Sequence, residues 1–93
     1  MLTAIVLIET DAALIPEAAS AIADIRGVSE VYSVTGEYDL IALVRVREHD
    51  ALADVIADQV SKIEGVRRTQ TYIAFRTYSQ HDLESAFALG LED

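Results

Sequence analysis

The chain has 93 residues, no cysteine, 52% hydrophobic residues and a formal net charge of −9 at pH 7. This length suits one small domain, which buries only about 60–65% of its unfolded surface and therefore gains from association. Disulfide and thiolate chemistry are excluded and a cytoplasmic location is the expectation; the acidic balance argues against nucleic-acid binding, and no apolar run approaches the ~18 residues of a membrane span.

Leu2–Glu9 alternates as a strand, with Leu2, Ala4, Val6 and Ile8 on one face and Thr3, Ile5 and Leu7 on the other. It resembles a signal h-region only superficially, because no basic flank precedes it and Glu9 and Asp11 follow it. A first helix is predicted from Pro16, a residue suited to the first helical position, with Ala18, Ala21, Ile22 and Ile25 on its apolar side and Gly27 as its stop. Val28–Thr35 reads as the second strand, Gly36–Asp39 as a hairpin and Leu40–Arg47 as the third strand. Asp50 is the predicted N-cap of a second helix carrying Leu52, Val55, Ile56, Val60 and Ile63, ended by Gly65. Val66–Tyr78 reads as a fourth strand with a bulge near Arg68. Ser79 opens an expected short terminal helix presenting Leu83, Ala86 and Phe87. Residues 1–93 form a single expected domain, with a core over 1–78 and a helical extension over 79–93.

The chain also nearly repeats itself at an offset of 38 residues, without gaps. Leu2/Leu40, Ala4/Ala42, Val6/Val44, Ala13/Ala51, Leu14/Leu52, Ala19/Ala57, Ile25/Ile63, Gly27/Gly65 and Val28/Val66 are identical pairs. Each copy reads strand, helix, Ile-x-Gly-Val, strand. Two such βαβ units predict an α+β, ferredoxin-like βαββαβ sandwich, a four-stranded antiparallel sheet with two helices on one face. The even face (Leu2, Ala4, Val6, Ile8, Leu40, Ala42, Val44, Val46) should lie under the helices. The other face is expected to hold Ile5, Leu7, Ile41, Leu43, Ile73 and Phe75 beside Thr3, Arg45 and Thr71. Left bare, that face would be an apolar patch larger than monomers usually expose. Sheet-against-sheet dimerisation in the dimeric α+β barrel manner, with Arg45 and Arg47 at the rim, is the expected solution.

Residues able to carry chemistry are sparse. His49 and His81 sit in no metal-ligand spacing, and Asp54 and Asp58 read as a solvated helix face. No catalytic residue, metal or cofactor is predicted, and the chain is not expected to be an enzyme. Only Gly36-Glu37-Tyr38-Asp39 is richer than a turn requires, joining a glycine, an aromatic ring and a carboxylate.

The run Val34-Thr35-Gly36-Glu37-Tyr38-Asp39-Leu40, with Ile63-Glu64-Gly65-Val66-Arg67-Arg68-Thr69-Gln70-Thr71 after a helix, resembles the effector domain of the Lrp/AsnC regulators. These are the leucine-responsive, feast/famine transcription factors, and the domain is called RAM, for regulation of amino-acid metabolism. The resemblance extends to about Tyr78. It implies dimerisation through the sheets, assembly into higher rings (octamers among them), and amino-acid effectors bound between dimers near the hairpin and fourth strand. Carried over by position, Gly36 would bring backbone amides to an effector carboxylate and Tyr38 would wall the pocket. Asp39 would accept from an effector ammonium or hold the hairpin, while Thr69 and Thr71 would offer hydroxyls. Family members usually carry an N-terminal helix-turn-helix DNA-binding domain, whereas this chain opens directly on its first strand and so resembles a stand-alone RAM protein. The implied function is amino-acid sensing by a homo-oligomer that modulates full-length Lrp/AsnC regulators, without touching nucleic acid or membrane itself. Two alternatives belong to other classes: a small dimeric ferredoxin-like enzyme of the cofactor-free monooxygenase or isomerase type, and an oligomerisation module without ligand. The wholly apolar even face counts against the enzyme.

Overall fold

The computed structural model describes residues 1–79. Strand β1 (Leu2–Thr10) leads through a short 3-10 turn (Ala12–Leu14) into helix α1 (Ile15–Ala23). Strands β2 (Val28–Ser33) and β3 (Leu40–Val46) follow, then α2 (His49–Ala53) and β4 (Val66–Ala74). The strands form one antiparallel sheet in the order β2-β3-β1-β4, the ferredoxin-like arrangement that the tandem repeat predicts. The two central strands are those whose even faces are apolar. Ala4, Val6, Ile8, Leu40, Ala42, Val44 and Val46 are all buried, and Ala18 and Ile22 of α1 with Leu52, Val55 and Val60 close over them. Each large side chain withdrawn in this way contributes about 1.5–3 kcal/mol.

The helices differ in detail from expectation. Pro16 does stand in the first turn of α1, but Asp11 first caps the 3-10 turn, its Oδ1 accepting from the Ala13 amide at 3.2 Å. Asp50 is not the cap of α2. Glu48 occupies that position without a side-chain capping bond, and Asp50 lies in the first turn, where a carboxylate still suits the helix dipole. Nor does the second helix run regularly: past Ala53 it widens to a π-segment (Asp54–Gln59) and tightens to a 3-10 turn (Val60–Lys62). Gly27 and Gly65 end the two helical stretches at φ 103° and 95°, repeat-related positions in matching conformations. The terminal helix expected from Ser79 falls almost wholly outside the described residues.

A bulge recurs in both copies and changes which residues share a face. Thr10 opposes Val66 while Glu9 opposes Arg68, so Arg67 is an extra residue in β4. Val28 opposes Val44 while Glu30 opposes Leu43, making Ser29, which stands 38 residues before Arg67, the extra residue in β2. Beyond each bulge the side-chain alternation is reversed. Thr69, Thr71 and Ile73 therefore oppose Ile8, Val6 and Ala4 on the helix side of the sheet, not on the open side where sequence alternation would put them. Phe75 lies past the end of β4 and is exposed. The open face carries Thr3, Ile5, Leu7, Ile41, Leu43 and Arg45, bordered by Glu30 and Tyr32 from β2 and by Arg68, Gln70, Tyr72 and Ala74 from β4. It remains largely apolar at its centre.

Candidate functional site

The β2–β3 hairpin projects from the end of the sheet where β1 finishes and β4 begins. Its glycine is the residue that shapes it: Gly36 has φ 127°, a region costly for other residues. A Cβ placed there would meet nothing within 4 Å, so the backbone at Gly36 faces open space. Further along the turn, Asp39 fastens the hairpin to β1. Its amide donates to the Ile8 carbonyl at 3.0 Å, and its Oδ2 accepts from the Thr10 amide at 2.9 Å. The Thr10 hydroxyl stands 3.5 Å from the same oxygen. Because Thr10 is buried, this carboxylate satisfies an amide that water would reach poorly. Of the two roles open to Asp39, holding the hairpin is thus visible in the bonding, and Oδ1 makes no hydrogen bond among the described residues.

Tyr38 meets β4 on the open face. Its hydroxyl donates to Gln70 Oε1 at 2.7 Å, and Gln70 Nε2 donates in turn to the Tyr72 hydroxyl at 2.8 Å. The Arg68 guanidinium lies 4.9 Å from the Tyr38 ring centre, within cation–π range. Arg68 Nη2 also reaches Glu9 Oε2 at 3.3 Å and Glu37 Oε1 at 3.5 Å. All these groups are solvent-exposed to a substantial degree, so each pair contributes little to stability. Their value is positional: through Glu37 and Tyr38 they tie the turn that contains Gly36 to Arg68 and Gln70 of β4.

Five residues were expected in the site, and the structure brings together only some of them. Gly36, Tyr38 and Asp39 share the hairpin, while Thr69 and Thr71 sit on the opposite face of β4 because of the Arg67 bulge. Thr71 lines an apolar groove with His49, Leu52, Ile56 and Ile73, between α2 and β4. Sequence reading passed over Arg68 and Gln70, which the bulge turns toward Tyr38. The signal was present in the pairing of a basic and an amide residue at alternate positions, but it has meaning only once the strand's alternation is known.

Among the described residues, no helix is long and apolar enough to cross a membrane, and no group of three or more His, Cys, Asp or Glu could hold a metal ion.

Comparison with known proteins bears on this arrangement. Residues 3–83 match the family described as Lrp/AsnC ligand binding domain. The solved structure of TTHA0845 from Thermus thermophilus is 46% identical, with a TM-score of 0.81, covering 86% of this chain and 100% of that one. The feast or famine regulatory protein of M. tuberculosis, solved in complex with L-methionine, is 33% identical with a TM-score of 0.71, covering 86% of this chain and 54% of that one. Among curated proteins, the transcriptional regulator FL11 of Pyrococcus furiosus is 32% identical over 77 residues, 83% of this chain and 50% of its own length. The chain thus spans about half the length of the curated relatives it matches.

Proposed function

The chain belongs to the Lrp/AsnC ligand-binding domain family, and on that premise we propose that it binds an amino-acid effector at the Gly36–Asp39 hairpin and does so as a homo-oligomer. The observation that carries this reading is the open backbone at Gly36 in a turn whose next two residues, Glu37 and Tyr38, both engage the Arg68 guanidinium. An amino-acid zwitterion needs donors for its carboxylate, an acceptor for its ammonium and an apolar or aromatic wall for its side chain. Backbone amides around Gly36 and the Arg68 guanidinium supply the first. Asp39 Oδ1 supplies the second while Oδ2 keeps the hairpin in place. Tyr38 supplies the wall, and Thr69 and Thr71 offer hydroxyls across the edge of β4. The relative solved with L-methionine supports the ligand class.

Such a site is open on one side and needs a second subunit to enclose a ligand. The open sheet face, with Ile5, Leu7, Ile41 and Leu43 at its centre, is the surface through which dimers form, and dimers joined near the hairpins build the higher ring, an octamer. The mechanism is linkage: an effector that binds one assembly state better than another shifts that equilibrium by its differential affinity. Acting in the cytoplasm on full-length Lrp/AsnC regulators, such a domain influences transcription through shared subunits or shared effector. As a non-enzymatic sensor it uses no catalytic residue.

A thermal-shift screen against the common amino acids tests the proposal. A true effector at about 100 times its dissociation constant adds about 2.7 kcal/mol of stability. The expected result is at least one stabilising amino acid whose effect is lost in Gly36→Val, where a side chain fills the open approach. A flat screen with the folded parent protein would sink the reading in favour of a ligand-free module.

A further inference from the structure

We infer that the groove between α2 and β4 is a docking site for this chain's own residues 83–91, which fold back over it. The helix side of the sheet shows where cover is missing. Ala4, Val6 and Ile8 of β1 and Leu40, Ala42 and Val44 of β3 are wholly buried there. Ile73 pairs with Ala4 and faces the same side, yet it is 47% exposed. Leu52, Ala53, Ile56 and Ala57 form one wall of the groove and Thr71 and Ile73 the other, around a concavity of about 300 Å³. Ala53 and Ala57 are both exposed, and side chains as short as these leave room for larger ones from elsewhere.

The internal repeat shows that the first copy has no such need. Thr71 and Ile73 stand 38 residues after Ser33 and Thr35. The outer strand that carries two polar residues in one copy therefore carries an isoleucine in the other. The uncovered apolar site belongs to the copy whose last strand is followed by residues 80–93.

Those residues have the chemistry and the reach. β4 ends at Ala74, one residue past the Ile73 that lines the groove. Beyond the described residues, Leu83, Ala86 and Phe87 fall at i, i+3 and i+4 among Asp82, Glu84 and Ser85, the sequence pattern of a single apolar stripe, and Leu89 and Leu91 follow. The connection from Ala74 to Leu83 spans up to ~30 Å when extended, whereas the helical wall from His49 to Ala57 is only about 12 Å long. So short a tether holds the stripe beside the groove at millimolar effective concentration, an advantage over any separate partner. Gly36, Tyr38, Asp39 and Arg68 do not line the groove, so docking does not depend on effector binding at the hairpin.

Photocrosslinking in the full chain tests the inference. p-Benzoylphenylalanine in place of Phe87 keeps an aromatic side chain and, on irradiation, bonds to a C–H group lying against it. The expected product has the mass of a single chain, with the link placed by peptide mass spectrometry within residues 49–57 or 71–73. Links to Ile5, Leu7, Ile41 or Leu43 of the open face, links only between two chains, or no link would overturn it. Thermal unfolding at one fixed protein concentration gives an independent reading. Phe87→Ser should lower the midpoint by about 4 °C or more. It should lower it no further in an Ile73→Asp background, where a carboxylate spoils the groove. Ile73 is half-exposed on an edge strand, so Ile73→Asp leaves the fold intact. No loss in Phe87→Ser, or the same loss in both backgrounds, would contradict docking at this groove.

Discussion

Removing the Asp39 carboxylate should destabilise the protein by an amount that can be worked out from its bonding. In Asp39→Ala the Thr10 amide loses its acceptor at 2.9 Å, and Thr10 is 6% exposed, so water cannot fully replace it. A hydrogen bond to a charged group contributes about 1.5–3 kcal/mol, and a buried donor left without a partner costs about 1–3 kcal/mol. These describe the same loss from two sides, so the expected change is about 2 kcal/mol. For a domain of this size the midpoint of thermal unfolding falls by roughly 4–8 °C per kcal/mol. Asp39→Asn keeps an acceptor oxygen without the charge and should lose about half as much. Thermal and urea unfolding followed by circular dichroism, at one fixed protein concentration because assembly contributes to stability, measure both variants. An Asp39→Ala unfolding free energy within ~0.5 kcal/mol of the parent's would show that the carboxylate does not hold the hairpin.

Other expectations concern the fold and its open face. Gly65→Ala should be more damaging than Gly36→Ala: both force a side chain to positive φ, but the new Cβ at Gly65 would stand 2.9 Å from Leu14 Cβ, whereas at Gly36 it meets nothing. Equal unfolding midpoints for the two variants would contradict this. Ile22→Ala, which empties a wholly buried position beneath α1, should cost about 2–5 kcal/mol by urea denaturation. Leu43→Asp, at the centre of the open face, should reduce the mass measured by light scattering to that of smaller species; an unchanged mass would show that the sheets are not the dimer contact. The Tyr32 phenol is held above its ordinary pKa, chiefly because its hydroxyl donates to Glu30 Oε2 at 2.6 Å. Ionisation therefore destabilises the folded state as pH rises through the interval between the unfolded and folded values. Ultraviolet titration should show a late-titrating tyrosine that returns toward the ordinary range in Glu30→Gln.

Much of the architecture was legible because it rests on period. Strict alternation in β1 and β3 named the buried face residue by residue, and the 38-residue repeat fixed the order of elements. The assignment of faces in β4 was not legible. The length of the fourth strand points to a bulge near Arg68, and one stands at Arg67, but how it reverses the alternation carries no compositional mark, so Thr71 and Ile73 fell on the wrong side. Its repetition at Ser29, which the sequence did not mark, shows that both copies of the repeat carry the bulge. The role of Asp39 was half visible: a carboxylate in a tight turn suggests local capping, yet its partner is Thr10, distant in sequence. The change from α to π geometry past Ala53 follows no residue that a propensity scale would single out.

Hydrogen–deuterium exchange, read by mass spectrometry with and without a mixture of the common amino acids, tests effector binding at the hairpin most directly. Slower exchange confined to peptides covering residues 34–40 and 66–71, with residues 44–48 unchanged, is the predicted result. Unchanged exchange at the hairpin in the presence of the mixture would contradict it.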